Sequence, residues 1–183
     1  ENGVEKIIPV KTLAFLQKIF DGSVSEIKVL IERSKVIFSY GKYLVFSSVL
    51  EHKYPEYQKA FISDLPNQFT IDKETLRNAI RRVALVAPDE NMRIRFELDS
   101  EQFEVNTSNR DTGEAKENLD GYSFAGNHTG VSFNFKYMLG ILEAIDSEKV
   151  IIKLGSSKDP MMIYNTTDSD TEKITFLLMP LRS

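Results

Sequence analysis

The sequence predicts an α+β fold, built from repeated β-α-β-β-β units with antiparallel sheets outside and helices on one face. The first observation is repetition, because three segments each show a short apolar strand followed by an amphipathic helix. The second is a change of apolar spacing after each helix, from 3.6 to 2, the period of a strand with one buried face. The third is that turn residues, such as Tyr40-Gly41 and Asp99-Ser100, separate these strands.

The repeat begins in turn at "KIIPVKTLAFLQKIF", "QFTIDKETLRNAIRRVALV" and "VSFNFKYMLGILEAI". Thr12-Leu13, Thr75-Leu76 and Tyr137-Met138 fall in register, which gives a period of about sixty residues. Asp72 and Asn134 stand where N-caps are expected, directly before the second and third helices. The sequence therefore predicts three copies of one supersecondary unit.

Each predicted helix carries one apolar face. The residues of these faces are Leu13, Leu16, Ile19 and Phe20 in the first helix, Leu76, Ala79, Ile80, Val83 and Ala84 in the second, and Met138, Ile141, Leu142 and Ile145 in the third. The predicted strands after the helices are "IKVLIE", "KVIFSY" and "YLVFSSVL", then "MRIRFEL", "QFEVNTS" and "GEAKENL", then "VIIKLG", "PMMIYN" and "KITFLLM". The apolar pattern of the first helix is the loosest of the three. The antiparallel sheets are expected to form one layer, with the helices packed on one face.

The segment "EYQKAFISDLPNQ" is typical of a linker and predicts two domains, residues 1–64 and 65–183. If one domain is a pair of units, the first domain holds only half a pair. The chain begins "ENGVEK" without methionine, from which we expect that an N-terminal part is missing. The last residues, "FLLMPLRS", remain apolar where most chain ends are polar.

The composition argues against an enzyme and against a metal protein. The 183 residues include no cysteine, which excludes thiolate metal sites. They include only two histidines, far apart in the sequence, which argues against a histidine metal site and against a Ser-His-Asp triad. Asp89 and Glu90 form an adjacent acidic pair, but no nucleophile, phosphate loop or metal cluster accompanies them. The sequence predicts no catalysis and no cofactor.

The helices carry positive charge although the chain has a net charge of −4. Lys73, Arg77 and Arg81 recur every four residues opposite the apolar face of the second helix, and Lys11 and Lys136 lie on the other two helices. Such a stripe can hold DNA by its phosphates without reading bases. An ordinary solvated helix face explains the same charges, and charge alone favours that interpretation.

Four stretches, in this order, resemble the bacterial sliding clamp, the β subunit of the replicative DNA polymerase. They are "IIPVKTLAFLQKIFDG", "LVFSSVLEHKYPEYQKAF", "FNFKYMLGILEAI" and "FLLMPLRS". The second is similar to the family's "S-x-L-[x]-x-x-[FY]-P-[DE]-Y", the third to its "F-N-x-x-Y-[LM]" helix entry, and the last to its terminal "V-M-P-[MLI]-R". Each motif is weak by itself, but the ordered set covers nearly the whole chain.

The resemblance implies a DNA-clamp fold and a non-catalytic processivity factor of bacterial DNA replication, in the cytoplasm. Two full-length chains would close head to tail into a ring around duplex DNA. The ring would tether the polymerase catalytic subunit, the clamp loader and other proteins through short Leu/Phe-bearing peptides. Residues 1–64 would be the second half of the middle domain and 65–183 the third domain, so this fragment should not close a ring. An interaction scaffold without a DNA role remains the alternative.

The resemblance also implies three sets of functional residues. The partner-peptide groove would use Pro55, Lys59, Ala60, Asn134, Tyr137, Pro160, Leu177, Leu178, Met179, Pro180, Leu181 and Arg182. The DNA-facing residues would be Lys11, Arg77, Arg81 and Lys136, and the ring interface would use Leu85, Val86, Glu114 and Glu117. The family's Gly-His-Arg-Leu stretch, which lines one side of the groove, would lie just before Glu1.

Overall fold

The computed structural model describes residues 5–62, 64–166 and 174–181. Its internal contacts divide the chain into two units, Glu1–Glu56 and Tyr57–Ser183. The domain boundary that the linker predicts, between residues 64 and 65, stays a prediction. Among the described residues, no helix has the length and apolar character needed to cross a membrane.

The first unit consists of one helix and one antiparallel sheet. Its elements are α1 (Val10–Ile19), β1 (Lys28–Ile31), β2 (Lys35–Tyr40) and β3 (Tyr43–Ser48), with sheet order β1-β2-β3. The predicted leading strand is reduced to a single bridge between Ile7 and Leu50. Of the predicted apolar face of the helix, only Leu16 is fully buried, and it packs with Val36 and Phe38. Ile19 and Phe20 pack against this small core, whereas Leu13 is 49% exposed, in keeping with the looser apolar pattern of this helix.

The second unit contains the other two repeats. Its elements are a 3₁₀ helix (Tyr57–Ala60), β4 (Asn67–Asp72), α2 (Lys73–Val83), a second 3₁₀ helix (Ala84–Val86), β5 (Arg93–Leu98), β6 (Phe103–Asn109), β7 (Gly113–Asn118), β8 (Ser123–Ala125), β9 (Thr129–Asn134), α3 (Phe135–Ala144), β10 (Lys149–Leu154), β11 (Met161–Asn165) and β12 (Thr175–Leu178). Every strand predicted for these two repeats is present, which confirms that part of the fold. The short β8 was not predicted.

The two repeats of the second unit exchange their leading strands. One sheet has the order β12-β11-β10-β4-β8, and the other has the order β7-β6-β5-β9. Thus β4, which leads into α2, pairs antiparallel with β10, as Ile71 does with Val150. In the same way β9, which leads into α3, pairs with β5, as Phe133 does with Ile94. Neither repeat closes its sheet with its own strands.

One core joins both sheets and both helices of the second unit. The apolar faces of α2 and α3 contribute the buried residues Leu76, Ala79, Ile80, Val83, Met138 and Leu142, which confirms the predicted helical spacing. The sheets contribute alternate residues, including Phe69, Phe96, Phe103 and Phe133, all with no exposed surface. Phe96 and Phe133 meet edge to face with ring centroids 4.5 Å apart, a geometry that adds about 0.5–1.5 kcal/mol beyond area burial.

Hydrogen bonds fix where α2 begins. Asp72 Oδ1 accepts from the Thr75 amide at 2.7 Å and from the Thr75 hydroxyl at 2.8 Å, as expected of an N-cap. The backbone hydrogen bond from Thr75, above all, lowers the pKa of the Asp72 carboxyl. Lys73 Nζ donates to the Ile145 carbonyl at 2.7 Å, at the C-terminal end of α3. The start of α2 is therefore fixed against the end of α3.

We predict that Asp72→Ala lowers the free energy of unfolding by about 1 kcal/mol, because the cap hydrogen bonds are lost. Asp72→Asn keeps an acceptor and loses only the charge. Because the folded pKa of Asp72 is lowered, the stabilisation from its charge is present above the unfolded pKa, about 3.9, and disappears as the pH falls through the folded pKa.

Urea unfolding at several pH values measures both effects. The difference between the unchanged chain and Asp72→Asn should shrink from pH 7 towards pH 3. Asp89→Ala, which removes an exposed acid of a loop, is the matched control. Equal losses in Asp72→Ala and Asp89→Ala would contradict the role of Asp72 as the cap.

Candidate functional site

An open groove of 870 Å³ lies on the second unit, within the size range of ligand sites. Three segments form it: the loop after the second 3₁₀ helix, the first turns of α3, and β12 with the residues that follow it. The lining residues are Glu90, Asn91, Asn134, Lys136, Tyr137, Gly140, Ile141, Phe176, Leu177, Leu178, Met179, Pro180 and Leu181.

The start of α3 holds the loop that forms one rim of the groove. Asn134 caps the helix, since its Oδ1 accepts from the Lys136 amide at 2.9 Å. Its Nδ2 donates to the Asn91 carbonyl at 3.3 Å, and the Phe135 amide donates to the Met92 carbonyl at 2.9 Å. Met92 itself has a φ of 52°, in the left-handed region, which a non-glycine residue adopts only where its surroundings hold it. The rim is therefore a fixed turn.

The tail forms the opposite wall of the groove. Leu178 pairs with Met161 in the β11–β12 ladder and is 5% exposed, whereas Met179 is 55% exposed. Two residues later the Leu181 amide donates to the Ser132 carbonyl in β9 at 2.7 Å. Because β12 and β9 belong to different sheets, the tail passes from the edge of one sheet to the edge of the other. The wall is therefore fixed at both ends.

The chemistry of the groove suits a peptide with apolar side chains. Most lining side chains are apolar, and the flexible thioether of Met179 adapts to different partners. Tyr137 is 66% exposed, so its hydroxyl can reach a bound backbone. Asn134 already bonds through its oxygen and its nitrogen, and its first task is to cap α3. Among the described residues, no group of three or more His, Cys, Asp or Glu could hold a metal ion.

The structure brings together part of the predicted groove. Seven of the predicted residues line it: Asn134, Tyr137, Leu177, Leu178, Met179, Pro180 and Leu181. Pro160 is buried just before β11 and does not line the groove, while Lys59 and Ala60 lie in the first 3₁₀ helix. Pro55 belongs to the first unit, and Arg182 lies outside the described residues. The roles of Pro55, Lys59, Ala60, Pro160 and Arg182 in the groove stay predictions.

Six lining residues were not predicted for the groove: Glu90, Asn91, Gly140, Ile141 and Phe176, together with Lys136, which was predicted to face DNA. Gly140 and Ile141 follow Tyr137 at i+3 and i+4, a spacing that places them on the same helix face and could have identified them. Phe176 adjoins predicted residues in β12. Glu90 and Asn91 reach the groove only through the contacts of a loop distant in sequence, for which the pattern of residues gives no signal.

The predicted basic stripe is partly engaged in bonds within the chain. Arg77 is paired with Glu74, and Lys73 bonds to Ile145. Arg81 is exposed on α2, as is Lys11 on α1, and Lys136 lines the groove. Fewer of these positive charges are therefore available to bind DNA phosphates than the sequence suggests.

The residues predicted for the ring interface lie near one sheet edge. Leu85 is 84% exposed on the second 3₁₀ helix, and the neighbouring Val86 carbonyl accepts from Thr112 Oγ1 at 2.9 Å. Glu114 is exposed on β7, the last strand of its sheet. Glu117 receives two hydrogen bonds from the guanidinium of Arg82, which raise the pKa of that arginine. This edge thus combines an apolar residue with acidic ones.

Comparisons with known proteins give a consistent result. The family model "DNA polymerase III beta subunit, central domain" matches residues 1–56, and "DNA polymerase III beta subunit, C-terminal domain" matches residues 59–182. A beta sliding clamp of Staphylococcus aureus strain Mu50 is 29% identical over 178 residues, 97% of this chain and 46% of the relative. One of Staphylococcus epidermidis is 28% identical with the same coverage. The chain spans about half the length of the curated relatives it matches.

Solved structures share the fold. A sliding clamp of Bartonella birtlesii bound to griselimycin has a TM-score of 0.87 at 21% identity, over 97% of this chain and 47% of that one. The β subunit of Caulobacter crescentus also has a TM-score of 0.87 at 21% identity, over 99% and 48%. That of Thermotoga maritima has 0.82 at 20% identity, over 96% and 47%.

At the end of β12, a side chain buried in the core and the exposed side chain that follows it should differ in their contribution to stability. We predict that Leu178→Ala lowers the free energy of unfolding by about 2–5 kcal/mol, because it leaves a cavity in the core. Met179→Ala should change it by less than about 0.5 kcal/mol, because half of that side chain is already in solvent. Urea denaturation measures both, and similar losses for the two variants would contradict the described orientation of the tail.

Proposed function

Because the chain belongs to the family of the DNA polymerase III beta subunit, we propose that it forms part of a sliding clamp, a non-catalytic processivity factor. In this role two full-length chains form a ring around duplex DNA in the bacterial cytoplasm and tether the polymerase. The matches to proteins named beta sliding clamps support the proposal. Residues 1–64 would supply half of the middle domain and residues 65–183 the third domain.

We propose that the groove binds short peptides of partner proteins, such as the polymerase catalytic subunit and the clamp loader. The observation that carries this proposal is the crossing of the tail between two sheets, which leaves Met179 half exposed over an apolar recess. Short segments with Leu and Phe side chains can bury against such a surface, while Tyr137 is available to bond the peptide backbone. Lys59, Ala60, Pro160 and Arg182 would contribute from outside the described lining.

Contact with DNA would be spread over exposed basic side chains of the helices. Lys11 and Arg81 are exposed, and Arg77 lies next to Arg81 one turn earlier but is paired with Glu74. Contacts of this kind go to phosphates, carry no sequence information and permit sliding. No single residue is then expected to dominate.

The edge at β7 would form the ring interface, with Leu85 and Val86 as its apolar part and Glu114 and Glu117 as its acidic part. An unpaired sheet edge favours addition of a strand from another chain. An interaction scaffold without a DNA role would use the same groove. The basic residues on the helices favour the clamp, and the DNA experiment below separates the two.

We predict that an acetylated and amidated peptide with Leu and Phe side chains binds this chain weakly and binds Met179→Ala several-fold more weakly, because the variant loses apolar contact area. Fluorescence anisotropy of a labelled peptide measures the affinity. Leu85→Ala is the matched control, since it also removes an exposed apolar side chain but lies outside the groove. Equal affinities of Met179→Ala and the unchanged chain would place the peptide elsewhere.

We predict that Arg81→Ala in the full-length ring weakens DNA binding only a few-fold. It should reduce the slope of log affinity against log salt concentration by about 1, because one phosphate contact is lost. Arg110→Ala, which removes an exposed arginine of the β6–β7 turn, should leave the slope unchanged. If the unchanged ring is not retained on circular duplex DNA, the clamp function is excluded and the scaffold remains.

A further inference from the structure

The first strand of the first unit has an unpaired, apolar edge. β1 lies at one end of the order β1-β2-β3, so β2 is its only partner strand among the described residues. Its three apolar side chains, Val29, Leu30 and Ile31, are each 44–57% exposed. An edge of this kind is a template for pairing with a strand of another chain.

The second unit shows how this fold uses the corresponding edges. β5 and β10 are the first full strands after their helices, as β1 is after α1. Each pairs on one side with the strand that follows it and on the other side with the leading strand of the other repeat. In the first unit the leading segment makes the bridge from Ile7 to Leu50 and does not reach β1. The open side of β1 is therefore a position at which this fold adds a strand.

The ladder with β2 determines which backbone groups point to the open side. The Glu32 amide donates to the Lys35 carbonyl at 2.9 Å, so these two residues form a hydrogen-bonded pair. Such pairs alternate with non-hydrogen-bonded ones along an antiparallel ladder, so the backbone of Leu30 also faces β2. The alternate residues Val29 and Ile31 direct their N–H and C=O groups to the open side.

The sequence of this segment is complementary to itself in reverse. From Lys28 to Glu32 it reads Lys-Val-Leu-Ile-Glu, with opposite charges at its ends and Leu30 at its centre. In an antiparallel pair centred on Leu30, each Lys28 lies opposite Glu32 of the other copy. Val29 lies opposite Ile31 in a hydrogen-bonded pair, which satisfies the outward N–H and C=O groups of both residues. Opposite charges and β-branched pairs across strands stabilise a sheet.

The charged ends of the segment are accessible to a second chain. Lys28 is exposed, and none of the described acids forms an ion pair with it. Glu32 forms an exposed pair with Lys35 at 3.3 Å, a contact that contributes little by itself. Charge complementarity therefore favours a second copy of this chain as the partner of β1.

We propose that β1 is a self-association site, at which two copies of this chain pair antiparallel about Leu30. The contact joins two three-stranded sheets into one of six strands. It is isologous, so both copies use the same residues. It differs from the ring interface proposed at β7 and does not depend on the function proposed for the groove. Contact through one short strand of each copy predicts a weak, concentration-dependent dimer.

Sedimentation equilibrium of the 183-residue chain should show an apparent mass that rises from one chain towards two as the concentration increases. Leu30→Lys brings two like charges together at the centre of the contact and should abolish the dimer. Leu44→Lys, at an equally exposed leucine of β3, is the matched control and should leave the dimer unchanged. Circular dichroism checks that both variants stay folded.

An exchange of charges tests the register. Lys28→Glu places two acids opposite each other at both ends of the contact and should weaken the dimer about tenfold. Combining it with Glu32→Lys restores opposite charges in every pair and should recover most of the affinity.

Introduced cysteines measure the same register, because the chain contains none of its own. In the proposed pair the two Leu30 Cα atoms lie about 4.5 Å apart, within the range of a disulfide. The two Val29 positions lie diagonally, about 7–8 Å apart, beyond that range. With oxidised glutathione as the oxidant, Leu30→Cys should form a covalent dimer much faster than Val29→Cys or Leu44→Cys.

A chain that stays monomeric at every concentration, with Leu30→Cys no more cross-linked than Leu44→Cys, overturns the second copy as the partner of β1. The edge would then accept the leading strand of another repeat. A dimer that persists in Leu30→Lys overturns the assignment to β1. A dimer that the exchange of charges does not restore, or equal cross-linking of Val29→Cys and Leu30→Cys, overturns the pairing about Leu30.

Discussion

The groove depends on one constraint, the pairing of each repeat's leading strand with the other repeat. Because β9 pairs with β5, the start of α3 lies beside the loop that precedes β5 and fixes that loop through Asn134 and Phe135. Because β4 pairs with β10, the sheet that ends in β12 is built from both repeats. The hydrogen bond from Leu181 to Ser132 then joins the edges of the two sheets. The rim at the start of α3 therefore needs both repeats.

Periodicity predicts the elements of this fold because it reports which face of a segment is buried. It identifies the buried faces of α2 and α3 and the N-caps Asp72 and Asn134. It does not report which strand lies alongside, and the exchange of β4 and β9 could not be read from alternation. Its signal is weaker in α1, where Leu16 is buried and Ile19 and Phe20 pack against the small core of the unit. Leu13, on the same predicted face, is exposed.

The candidate site likewise contains residues that the sequence identifies and residues that it does not. Tail residues such as Met179 are recognisable from the sequence through the resemblance, and Ile141 through its spacing from Tyr137. Asn91 joins the site through a hydrogen bond to Asn134, 43 residues away, for which no local pattern exists. The charges of α2 show the converse, because Lys73 belongs to a regular basic stripe in the sequence and yet bonds to the distant carbonyl of Ile145. Pairing across the fold, rather than charge itself, decides which cations remain available.

The most direct test of the groove is a map of backbone amide shifts in nuclear magnetic resonance spectra during titration with a blocked Leu/Phe-bearing peptide. We expect the largest shifts on Tyr137, Gly140, Met179 and Leu181, which lie on α3 and on the tail. Little change is expected on strands β6 and β7. Shifts centred on β7 or on the first unit, with none on the tail, would contradict the proposed peptide site.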